Sequence, residues 1–195
     1  MIDRRTMLRV VGGIAVCCVV ACASPRPTTT KATPSAPRNI AKMADVDAPV
    51  SVVWNTWTTT NGVQTFLSPQ AKLEAGVGGP FELLFNPEAP EGARGTEGCT
   101  VLSITPETRL TFEIGFPPSL GLGDQKTPVT IHLTALDEMT TRIKIVHQGF
   151  TSGAAWDNAH FYYSEFWSTV ADHLRQRFSE GPIVWESARD HFEWR

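Results

Sequence analysis

The sequence predicts an α+β domain of the helix-grip kind: a curved antiparallel sheet wrapped around one long C-terminal helix, with two short helices after the first strand. Three observations predict it. Period-2 alternation recurs in successive segments between residues 81 and 146, a 3.6-residue apolar period runs from Trp156 to Leu174, and a short helical stripe of apolar residues follows the first strand. A meander with one apolar face needs a cover, and the long helix is the only large amphipathic element available.

The first 38 residues do not belong to that domain. Arg4, Arg5 and Arg9 precede an apolar run, Val10 to Val20, that ends at Ala21-Cys22. This order is that of a secretory signal. The run has 11 residues, whereas a helix needs about 20 to cross a bilayer. Val19-Val20-Ala21-Cys22 resembles a lipobox, so cleavage after Ala21 and acylation of Cys22 are expected, with the protein exported and held on an envelope membrane. Asp3-Arg4-Arg5-Thr6-Met7-Leu8-Arg9 also resembles a twin-arginine export motif. Residues 22–38 then read as the lipidated cysteine plus a Pro/Thr/Ser tether that cannot bury a core.

Removing residues 1–21 takes Lys+Arg from 17 to 14 and Asp+Glu from 20 to 19, a net charge of −5. With no basic cluster left, nucleic-acid binding is disfavoured. Cys99 is the one cysteine beyond the signal and anchor, so no disulfide framework is available and apolar burial must hold the fold.

The domain, residues 39–185, opens with a strand marked by Ile40, Ala44 and Val46. Asp47 is the expected N-cap of the first short helix, with Pro49 in its first turn. Val50, Val53, Trp54 and Trp57 form its apolar face. Asn61-Gly62 is expected to break it, with one more turn from Val63 to Leu67. Six strands follow, over Lys72–Gly76, Phe81–Phe85, Thr96–Thr105, Leu110–Phe116, Val129–Thr134 and Arg142–Val146. The long helix spans Ala154 to Phe178, where Gly181-Pro182 stops it. Residues 186–195 form a tail.

This order, with Asp47-Ala48-Pro49-Val50, Gly78-Gly79-Pro80-Phe81, Glu97-Gly98-Cys99-Thr100, Thr140-Thr141-Arg142-Ile143, Gly149-Phe150, Trp156-Asp157 and Gly181-Pro182-Ile183-Val184-Trp185, resembles the SRPBCC (START/Bet v 1-like) superfamily. The nearest branch is that of the activator of Hsp90 ATPase C-terminal domain. The resemblance implies a helix-grip fold, often with an apolar ligand cavity, and implies no particular reaction. Phe66 departs from it, since relatives usually carry Trp there.

Chemistry is sparse. There is no His-Glu-x-x-His, no paired Cys-x-x-Cys, no Gly-x-Ser-x-Gly elbow and no Gly-rich phosphate loop, so neither a metal nor a cofactor is called for. Asp157 and His160 are spaced to share a helix face, and with Tyr163 they are the weak catalytic candidates. The preferred reading makes Asp157 a partner of the helix N-terminus and His160 a satisfied core histidine. His147 is a further polar position, in phase with Ile143 and Ile145. A ligand site between sheet and helix is expected from Trp57, Phe81, Phe112, Phe116, Trp156, His160 and Tyr163. In a meander the long connections at 86–95, 117–127 and 148–153 share one end with the start of the long helix, which places the mouth there. The sequence therefore favours a non-catalytic binder of an apolar or amphipathic small molecule. An envelope protein-interaction module and a cyclase- or hydrolase-type enzyme are the alternatives.

Overall fold

The computed structural model describes residues 38–185. The signal, Cys22, the tether up to residue 37 and the tail from 186 onward lie outside the described residues. Eleven elements follow in chain order, seven of them strands. Strand β1 (Arg38–Val46) leads into α1 (Val50–Thr58) and α2 (Thr60–Val63), followed by β2 (Gln70–Leu73), β3 (Phe81–Leu84), β4 (Val101–Thr105) and β5 (Arg109–Ile114). A 3-10 turn at Pro118–Leu120 precedes β6 (Thr127–Ala135), β7 (Thr141–Phe150) and the long helix α3 (Ala154–Ser179). This is the α+β helix-grip arrangement. Among the described residues, no helix is long and apolar enough to cross a membrane.

The main sheet has the order β1-β7-β6-β5-β4, all antiparallel, and β2-β3 forms a second, two-stranded sheet. The expected single meander is thus divided. Two isolated bridges, Pro80 with Thr100 and Leu84 with Gly95, lay β3 along the chain leading into β4. The approach at Gly95 is so close that a Cβ there would stand 1.9 Å from the Leu83 carbonyl oxygen, which only glycine permits. The strand edges also move. The second strand ends at Leu73, the third at Leu84 before Phe85, and the fifth at Ile114 before Phe116. Pairing with Phe150 draws Arg38, read from sequence as tether, into β1.

The alternation in sequence is the burial pattern. Leu110, Phe112 and Ile114, then Val129, Ile131 and Leu133, then Ile143, Ile145 and His147 all point inward and are buried. Helix α3 supplies the other wall with Ala159, Tyr163, Phe166, Trp167, Val170 and Leu174. Burying each large apolar side chain contributes about 1.5–3 kcal/mol.

The two short helices are joined differently from the sequence reading. Asp47 does not cap α1. Pro49 is the N-cap residue, and its carbonyl accepts from Val52 and Val53. The chain breaks at Thr59, which is extended at φ −125° and whose hydroxyl accepts the Gly62 N–H at 3.0 Å to cap α2. Asn61-Gly62 therefore lies inside α2. A Cβ on Gly62 would lie 2.4 Å from the Thr56 carbonyl oxygen, so this glycine serves close packing, not termination.

Candidate functional site

Register fixes which end of the domain carries the loops. Ile114 pairs with Thr127, Val129 with His147, and Arg38 with Phe150. These positions share one end with residues 85–100, residues 115–126 and the three-residue turn into α3. The hairpin turns at 106–108 and 136–140 lie at the opposite end.

At the loop-bearing end the side chains are aromatic, and two of them, Trp156 and His160, are only partly covered. Phe116 meets Trp156 and Tyr163 edge-on, both at 5.5 Å between ring centroids, and Phe150 meets His160 at 5.2 Å. Trp156 and His160 are half-buried, whereas Tyr163 is fully enclosed. The segment Phe116-Pro117-Pro118-Ser119-Leu120-Gly121-Leu122-Gly123 leads away from this cluster, with Leu120 and Leu122 half-buried on the core. Gly121 and Gly123 both adopt positive φ, 67° and 57°, a backbone that glycine reaches without strain.

Deeper in, polar groups are fully committed. Trp167 Nε1 donates to His147 Nδ1 at 3.0 Å, which makes Nδ1 an acceptor and puts the imidazole proton on Nε2. Nε2 then donates to the Thr127 hydroxyl at 2.7 Å. Burial, with His160 nearby, pushes His147 down to about 3, so it is neutral at physiological pH. The Tyr163 hydroxyl donates to the Gly115 carbonyl, and burial raises its pKa well above the usual phenol value. Cys99 is a buried free thiol that burial pushes up to about 11.

The weak catalytic set is not assembled. Asp157 is 59 % exposed and ion-paired with Arg38 at 2.7 Å, and no hydrogen bond or ion pair joins it to His160. The expected lining residues fall into three places. Phe116, Trp156, His160 and Tyr163 are clustered at the loop-bearing end. Phe81 and Phe112 stack on one another in the core at 3.8 Å. Trp57 stands apart, edge-on to Phe66 at 4.8 Å, and its Nε1 is the one buried side-chain donor without a hydrogen-bond partner among the described residues. Sequence reasoning missed Phe150, which touches Phe116, Trp156 and His160, because it closes a strand after an irregular Gln148-Gly149 step.

Residues 47–179 match the sequence profile of the family described as Activator of Hsp90 ATPase homolog 1-like protein. The chain belongs to this family. No curated protein matches the chain. Among solved structures, the protein MLL2253 from Mesorhizobium loti is similar at 17% identity and a TM-score of 0.58, over 75% of this chain and 100% of that one. The Aha1 dimer from Colwellia psychrerythraea matches at 17% identity and 0.56, over 74% and 98%. CalU16 from Micromonospora echinospora matches at 22% and 0.56, over 78% and 81%. At these identities the likeness shows the shared fold alone. The Activator of Hsp90 ATPase homolog 1-like match begins at Asp47, so β1 lies outside it although it forms an edge of the main sheet.

Proposed function

We propose that this protein is a lipid-anchored envelope protein that binds an apolar or amphipathic small molecule between the sheet and α3, entering at the loop-bearing end, without chemically changing it. The observation that carries this reading is the burial gradient along α3. Tyr163, Phe166 and Trp167 are sealed, while Trp156 and His160, one to three turns nearer the helix start, stay half-buried. The half-buried Trp156 ring, backed by the buried Phe116 and Phe150, offers dispersion contacts to an apolar body, and the His160 imidazole offers one polar contact at the entrance.

Binding without turnover is favoured by the state of the ionisable groups. Burial holds Tyr163 and Cys99 protonated and His147 neutral. None is poised near neutral pH as a general acid or base would be. Anchoring rests on the sequence of residues 1–22, and intact mass of the membrane form tests it through an acyl mass on a peptide starting at Cys22.

Binding is tested with N-phenylnaphthylamine, a probe whose emission rises in apolar surroundings. Wild type should bind it saturably. Trp156→Ala should weaken binding roughly tenfold, which corresponds to about 1.4 kcal/mol. A wild-type protein that leaves the probe dark, or a Trp156→Ala variant with unchanged affinity, refutes this site. Native mass spectrometry of protein from its own host, with product analysis of any ligand recovered, tests the absence of turnover.

A further inference from the structure

Resting on the anchored-binder reading above, we infer that the loop-bearing end faces the leaflet that holds the anchor, and that the ligand is a lipid-soluble molecule drawn from that leaflet. The deciding observation is where the chain enters the domain. Arg38 opens β1 at the loop-bearing end, opposite Phe150. Its guanidinium donates to the Thr151 carbonyl at 2.9 Å and pairs with Asp157 at 2.7 Å, in the first turn of α3. The point of attachment to the preceding residues is therefore fastened beside Trp156, at the proposed entrance.

Length makes this placement count. Residues 23–37 separate Cys22 from the domain. Fifteen residues can reach at most about 50 Å. The hairpin end of the domain lies the length of β1, roughly 30 Å, from this point of attachment.

Side chains around the entrance suit an uncharged surface. Leu120 and Leu122 lie on the loop at residues 115–126, and Phe161 stands 70 % exposed on α3, about 10 Å from its first residue. Glu88, Glu91, Glu97, Asp124 and Asp157 outnumber Arg38, Arg94 and Lys126 there. Electrostatic adhesion to anionic lipid is therefore absent, and the acyl anchor supplies the hold.

The test uses the acylated full chain in phosphatidylcholine vesicles that carry a headgroup acceptor dye. A donor dye is placed on Ser152→Cys at the loop-bearing end or Glu138→Cys at the hairpin end. Cys99 stays unlabelled because its thiol is buried and protonated. Energy transfer should be greater from Ser152→Cys. N-phenylnaphthylamine preloaded in the same vesicles should reach the protein, and tripling the spacer with a Gly/Ser insert should lower capture roughly fivefold, since effective concentration falls as about the −3/2 power of length. Capture with equal or reversed transfer overturns this inference alone, and reversal points to contact through the exposed Leu136 and Met139 of the β6–β7 hairpin. Expected transfer with no probe captured sinks both the ligand source and the binding reading. A chain without acyl mass at Cys22 overturns the inference together with the anchoring reading.

Discussion

The two halves of α3 are held by different physics. Toward its C-terminus the helix is bolted by directional bonds to two parts of the chain. Trp167 bonds His147 in the sheet, and His173 Nδ1 donates to the Phe66 carbonyl at 3.1 Å. Arg177 Nε donates to the Thr65 hydroxyl at 3.0 Å, and beyond the helix Trp185 Nε1 donates to the Gln64 carbonyl at 2.6 Å. Toward its N-terminus the helix leans mainly on rings, with the Tyr163 hydroxyl on the Gly115 carbonyl and one surface ion pair to Arg38. Ring contacts lose little when a ring slides or is replaced by another apolar group, whereas a buried hydrogen bond broken on one side leaves an unsatisfied group. The bolted half therefore sets stability, and the proposed guest would have to enter at the leaning half.

Trp167→Ala should cost about 3–5 kcal/mol in denaturant unfolding, by cavity formation and by orphaning His147. Trp156→Ala should cost under about 1.5 kcal/mol, its ring being half-buried. Equal costs would erase the distinction between the halves.

Acid should attack the bolted half next. His147 has its folded pKa lowered from 6.5 to about 3, so the unfolded chain takes up this proton first. Its contribution is fully present above about pH 6.5 and is lost as pH falls toward about 3, with a limiting slope of roughly 1.4 kcal/mol per pH unit. Burial also lowers His132, in the same sense, so the informative quantity is the difference between wild type and His147→Gln. That difference should shrink by about 2 kcal/mol between pH 6.5 and 4.5. A pH-independent difference would show that His147 is solvated.

The two buried tryptophans separate bond from bulk. Trp167→Phe removes a donor from His147, while Trp57→Phe removes a donor that has no partner. Trp167→Phe should be the more costly by about 1–3 kcal/mol. Smallest of all, Asp157→Asn removes an exposed ion pair with Arg38 and should cost under about 1 kcal/mol, less still at high salt.

Much of this was legible in the sequence because it is written in local period. The inward sets on β5, β6 and β7 and the stripe of α3 are spacing rules made of residues such as Phe112, Ile131, Ile145 and Trp167. Polar pairing was less legible. His147 and Trp167 lie 20 residues apart on different elements, and Arg38 and Asp157 farther still, so spacing along one helix suggested Asp157 with His160 instead. Glycines misled for a related reason. Gly62 and Gly95 read as punctuation, yet each is placed by a backbone passing within contact of its missing Cβ.

The divided sheet carries a consequence for the order in which the molecule comes apart. Strand β6 has hydrogen-bonded neighbours on both sides, whereas the β2–β3 hairpin meets the main sheet through two isolated bridges and a few flanking bonds such as Phe81 N–H to the Cys99 carbonyl. Cooperative units with fewer ties open at lower free energy. Amide deuteration should therefore run as a sequence in time, reaching Ala71 and Leu73 well before Ile131 and Leu133. The hairpin would be a sub-globally opening unit, released while the five-stranded sheet and the bolted half of α3 remain closed.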